Sequence, residues 1–120
     1  MTRYLMAVHG SGDVDELANY GSTEERDAAF ERTEVFNEKL REEGYWVFAG
    51  GLDGASSAVV VDARAGAPVV TDGPYLETKE FLAGFWVIDV PDAATARELA
   101  VGASRACGGQ IELRSFDAFS

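Results

Sequence analysis

The sequence predicts an α+β fold of the ferredoxin-like, split β-α-β kind: an antiparallel sheet with two helices on one face. Three observations predict it. Two stretches have helical periodicity. Several short runs rich in Phe, Trp, Val and Ile read as strands. Their order is strand, helix, strand, hairpin, strand, helix, strand. The chain has 120 residues, one domain's worth, and 1–120 is read as a single unit.

Arg3 to His9 contains Tyr, Leu, Met and Val without alternation, then meets Gly10-Ser11-Gly12. This is the pattern of a strand buried on both faces. Asp13 to Gly21 is polar and punctuated by glycine, and reads as a loop or a single helical turn. Ser22 or Thr23 then opens a helix. Ser22 and Glu25 have capping-box spacing, and Glu24, Glu25 and Asp27 place negative charge where the helix dipole favours it. Ala29, Thr33, Phe36 and Leu40 form one stripe, with Phe30 and Asn37 at its edge. Glu31, Glu34, Glu38, Arg41 and Glu42 take mostly the other faces, and Gly44 is the stop.

Tyr45 to Ala49 is aromatic and β-branched, hence a second strand, which Gly50-Gly51 bulges or ends. Ser57 to Val61 is a third strand. Ala65 to Pro68 is a turn, and Val69 to Thr71 pairs back as a hairpin arm. Leu82 to Val90 carries Phe85, Trp86, Val87 and Ile88 as the next strand. Asp92 is the N-cap of a second helix, whose stripe is Ala96, Leu99, Ala100 and Ala103. Gly108-Gly109 ends it. Gln110 to Phe116 alternates Ile111, Leu113 and Ser115 as the last strand. Two helices cover one sheet face only. The strands are apolar enough that the other face calls for a partner, so a homodimer joined sheet against sheet is expected.

Composition narrows the function classes. Ten Lys and Arg stand against twenty-one Asp and Glu, a formal charge of −11. That excess repels nucleic-acid phosphate and anionic lipid, so neither nucleic acid nor membrane is expected as a partner. The apolar runs are far shorter than the ~20 residues of a spanning helix, and the N-terminal stretch lacks the pattern of a signal peptide. A single cysteine, Cys107, suits a reducing cytoplasm and lies on the apolar side of the second helix as a small hydrophobe. One His and no paired Cys make no transition-metal site, and the acidic residues lack calcium-loop spacing. The glycine pairs lack any phosphate-loop context, so no cofactor is expected.

The segment Thr71 to Glu80 concentrates the chemistry. Asp72, Glu77, Lys79 and Glu80 lie within nine residues, around the Gly73-Pro74 turn and beside the aromatic Phe85-Trp86. In a cleft, Asp72 is the candidate acid or base and Lys79 binds an anionic group. Tyr75 and Trp86 form its apolar wall. Gly73, Pro74, Tyr75, Glu77 and Trp86 are the candidate ligand-binding residues, and the ligand is a small polar or aromatic molecule. On the plainer reading, Lys79 pairs with Asp72 or Glu77 to fix a solvated turn, and the aromatics belong to the core or the dimer interface. His9, the lone imidazole, is a further acid–base candidate only if it meets Asp72 or Glu77 in the same cleft.

Asp72-Gly73-Pro74-Tyr75-Leu76-Glu77-Thr78-Lys79-Glu80, followed by Gly84-Phe85-Trp86-Val87-Ile88-Asp89-Val90-Pro91-Asp92, resembles the signature of the YCII-related proteins, DGPF subgroup. That subgroup usually has Phe where this chain has Tyr75. Gly108 to Arg114 also resembles the family's closing strand. The resemblance implies a ferredoxin-like fold, a dimeric α/β-barrel assembly with sheets facing each other, and a cytoplasmic bacterial protein. In some members it implies a gene beside an extracytoplasmic-function sigma factor, so a non-catalytic accessory module is the alternative function. In the wider family a His on the first helix, near an Asp, is a proposed active-site pair, and one relative removes chloride from a hydroxylated aromatic ring. Glu24 to Glu43 contains no His, a departure from that pair.

Overall fold

The computed structural model describes residues 1–11, 21–73 and 80–120. Its elements are β1 (Thr2–Ser11), α1 (Thr23–Glu42), β2 (Trp46–Gly51), a 3-10 turn (Ala55–Ser57), β3 (Val59–Asp62), β4 (Val69–Asp72), β5 (Glu80–Val90), α2 (Ala93–Cys107) and β6 (Ile111–Ser115). Four strands form one antiparallel sheet in the order β2-β5-β1-β6. This is the split β-α-β arrangement: β5 lies between β1 and β2, and β1 between β5 and β6. The α+β architecture with both helices on one face is therefore as the sequence predicts. The stretch expected to be a loop or helical turn falls, but for Gly21, outside the described residues.

Local signals set the helix ends. Ser22 Oγ accepts from the Glu25 backbone N–H at 3.1 Å. The Glu25 carboxylate reaches one residue further back than a capping box requires, to the Gly21 N–H at 2.8 Å. At the other end Gly44 adopts φ +77°, where a Cβ is penalised. Its N–H donates to Arg41 and that of Tyr45 to Leu40, the paired bonds of a Schellman stop. Asp92 caps α2 by accepting from the Thr95 N–H at 2.8 Å, and Gly108 ends it at φ +78°.

The Thr95 hydrogen bonds hold the Asp92 carboxyl below its ordinary pKa. A depressed folded-state value contributes stability that is present above the unfolded pKa and is lost as pH falls through the folded one. Asp92→Asn should therefore lower the melting temperature at neutral pH and lose less further stability than wild type on acidification below the carboxylate range. Parallel melting curves that keep one separation at every pH would remove the cap's ionic part.

The core lies between sheet and helices. Met6, Leu40, Ile88, Val90, Ala96 and Ala103 are fully or almost fully buried, and Trp86 is 5% exposed. Tyr4, Met6 and Val8 face the helices from β1, as do Ile111 and Leu113 from β6. Small residues let α2 sit close: a Cβ on Gly102 would stand 3.0 Å from the Phe36 ring. Arg32 Nε donates to the Ala106 carbonyl at 3.2 Å and so ties α1 to the negative end of α2.

Two irregularities depart from the sequence reading. The bulge in β2 falls at Val47, between the pairs Trp46↔Ile88 and Phe48↔Val87, while Gly50 and Gly51 stay in the ladder opposite Phe85 and Gly84. Gly84 is the glycine that must lack a side chain, because its Cβ would lie 2.9 Å from the Gly50 carbonyl oxygen. A second bulge follows Val8, with Ala83 as the extra residue. The hairpin arm β3–β4 forms as expected but makes a separate two-stranded sheet. Ser57 belongs to the 3-10 turn and not to β3.

Among the described residues no helix lies on the second sheet face. Antiparallel partners share a face, so Arg3, Leu5 and Ala7 lie there with Asp89, Val87 and Phe85, joined by Arg114 and Glu112 from β6 and Phe48 from β2. Phe48 is 56% exposed and its ring lies 6.0 Å from that of Phe85. The molecule is a slab of 46 × 41 × 19 Å with a radius of gyration of 16.1 Å. A compact chain of this length would have about 13.5 Å. Among the described residues the slab has one main sheet layer and one helix layer.

Candidate functional site

The helix face of the sheet holds a pocket at its β2 edge. Helix α1 sends Thr33, Asn37 and Arg41, spaced at four residues, toward this edge. Trp46, Ala49, Phe85 and Trp86 complete the wall, and Gly50 and Gly51 leave it open; the volume is about 310 Å³.

Trp86 comes from β5, on the buried side of the sheet. Its ring meets Phe36 edge-on at 5.6 Å. Its Nε1–H donates to Asn37 Oδ1 at 2.7 Å. An indole N–H only donates, so the bond fixes which way the Asn37 amide is turned and leaves both Nδ2 hydrogens for another acceptor. Arg41 stacks over the Trp46 ring at 4.2 Å. Its Nη1 reaches Glu38 at 3.3 Å and Glu34 at 3.5 Å, so the cation is held in place from the solvent side. The pocket thus offers a cation, amide donors and a hydroxyl above aromatic faces. None of these lining side chains is a carboxylate, imidazole or thiol.

Of the residues that the sequence reading grouped, His9, Asp72, Gly73 and Trp86 are among the described ones. Asp72 ends β4, exposed and opposite Val59. Gly73 follows at φ +100°, its N–H donating to the Ala58 carbonyl at 2.7 Å. Pro74, Tyr75, Glu77 and Lys79 lie outside the described residues. Trp86 is six residues past Glu80 on β5, about 20 Å along a strand. Its ring is in the core and the pocket wall together. His9 lies on the exposed side of β1, its Nε2 3.6 Å from Glu112 Oε1. His9 and Trp86 thus lie on opposite faces of the sheet, and neither His9 nor Asp72 lines the pocket that Trp86 borders.

Thr33, Asn37 and Arg41 were not singled out by the sequence. Thr33 counts there as apolar stripe, Asn37 as its edge and Arg41 as solvent face. The available signal was a polar row at i, i+4, i+8 running beside the apolar one. A second concavity of about 360 Å³ lies between α1 and α2. Lys39, Glu43 and Glu98 are its charged lining residues, and Lys39 stands 3.9 Å from Glu43. Among the described residues no group of three His, Cys, Asp or Glu is placed to hold a metal, and no described helix is long and apolar enough to cross a membrane.

Comparison with curated proteins returns no match. The sequence profile of the YCII-related domain matches residues 3–119, nearly the whole chain, and the chain belongs to that family.

Proposed function

We propose that this YCII-related protein is a homodimer that binds a small, flat, acceptor-rich molecule in the pocket between α1 and β2–β5. The observation that carries the reading is the donor set of Arg41, Asn37 and Thr33 over Trp46 and Trp86. Donors and a cation suit a carboxylate or a similar acceptor group, and aromatic faces suit a planar apolar body. The described wall residues include no carboxylate, imidazole or thiol, so binding fits this set better than acid–base catalysis. That favours the accessory-module class over an enzyme, and it moves the ligand from the Asp72–Glu80 loop to the helix side of the sheet. A reducing, cytoplasmic setting fits a chain whose single cysteine is Cys107.

The dimer rests on the bare sheet face. The chain carries −11, yet on the part of this face between Arg3 and Ala7 the charged residues are Arg3 and Arg114 with Asp89 and Glu112, and there they balance. Two copies therefore meet there without the repulsion expected elsewhere.

A thermal-shift screen of small aromatic carboxylates tests the pocket. A ligand at a hundred times its Kd stabilises the fold by about 2.7 kcal/mol. The shift should be equal in wild type and Asp72→Asn and should largely vanish in Arg41→Gln. A shift that survives Arg41→Gln but not Asp72→Asn would return the site to the loop. No shift with any such compound would remove the binding reading.

A further inference from the structure

The β3–β4 ribbon has no role in the pocket and no place in the main sheet. Its register pairs Val59 with Asp72 and Val61 with Val70, so Val59, Val61 and Val70 form one apolar face interrupted only by Asp72. The valines Val59, Val61, Val69 and Val70 are between 56% and 63% exposed. A lone two-stranded ribbon is marginal in water, and one showing this much valine gains little from its own pairing. The Arg64 side chain doubles back onto Asp62 at 3.0 and 2.8 Å, closing the turn with an exposed ion pair that adds little.

We propose that the ribbon is a dimerisation arm: its valine face lies on the open sheet face of a second copy of this chain. The inference rests on the sheet-to-sheet dimer above and names the segment that completes it. Each chain has two uncovered apolar surfaces, the ribbon and the sheet face around Phe48, Phe85 and Val87. They do not cover each other within one chain, since both the valines and Phe48 stay exposed. Exchange between two copies covers both at once, and a two-fold axis closes the pair. The ribbon also leaves β2 from the edge that carries Phe48, so arm and acceptor are continuous. Of the candidate occupants, a second copy is the one whose matching surface this fold supplies, apolar at its centre around Phe48, Phe85 and Val87 and carrying opposite charges on Arg3, Asp89, Glu112 and Arg114.

Hydrogen exchange and sedimentation on the full chain test the arm. In wild type, protection of the amides in β3 and β4 should rise with protein concentration, in step with the appearance of a two-chain mass. Val61→Glu with Val70→Glu should raise the dimer Kd about tenfold or more and leave the helical circular dichroism intact. Val35→Glu with Val101→Glu, which adds the same charge to the helix layer, should leave the Kd unchanged. A dimer whose ribbon exchanges as fast as in the monomer, or an unchanged Kd in the ribbon variant, overturns the arm and leaves the sheet dimer standing. An equal loss in the helix-layer variant assigns the effect to charge and likewise overturns it. A one-chain mass at every concentration overturns the arm together with the dimer.

Discussion

Val87→Asp is expected to sediment as a monomer with its fold retained. Val87 lies in the middle of the open face, opposite Leu5 on one side and Phe48 on the other. In a single chain it is half-buried, so a carboxylate there keeps part of its hydration and the sheet survives. In a sheet-to-sheet dimer it would be dry and without a cation within the apolar centre. An uncompensated buried charge costs about 3–5 kcal/mol, more than a hundredfold in Kd. The two-fold axis makes the substitution appear twice, and the two carboxylates repel. Circular dichroism should show the helices intact while the sedimentation coefficient falls to that of one chain. A Val87→Asp chain that remains dimeric at wild-type affinity would remove this face from the interface.

Trp86→Ala should cost about 3–5 kcal/mol of unfolding free energy, the range of a buried aromatic truncated to a methyl group. Three losses coincide. The indole's buried surface returns to the denominator of the folding equilibrium, the edge-on contact with Phe36 at 5.6 Å goes, and Asn37 Oδ1 loses its donor. Because the pocket adjoins the ring, part of the void can open to water, which holds the loss toward the lower end. Trp86→Phe keeps most of the volume and the ring contact but not the N–H, so it should cost clearly less. Urea unfolding of both variants measures the difference. A Trp86→Ala loss under about 1 kcal/mol would show that this end of the core collapses freely around the gap.

Much of the fold was legible because its signals are local. Ser22 with Glu25, Asp92 with Thr95, and Gly44 and Gly108 past the helix ends each act within a few residues through hydrogen bonds or a positive φ. The apolar stripes and the alternation of Ile111 and Leu113 set which side of each element faces the core. The bulge at Val47 has no such signal. It follows from matching β2 to β5, and the glycines that drew attention in sequence remain paired there.

The site was legible only in part. Trp86 was singled out for its aromatic ring beside an acidic loop, whereas its partner is Asn37, 49 positions away on α1. A single sequence gives no measure of which distant side chains a helix and a strand will oppose. Arg41 reads as a solvent residue from α1 alone, and only the arrival of Trp46 beneath it makes it a wall of a pocket. The sequence by itself therefore determined the helices and main strands, the helix ends, their order and the side each turns inward, since these follow from periodicity and capping within one element. Tertiary structure alone decided that the β3–β4 ribbon stands apart from the main sheet and that polar residues of α1 meet two tryptophans at the β2 edge. Both depend on how separate elements fit in space, where bulges, close glycines and crossing distances set the outcome.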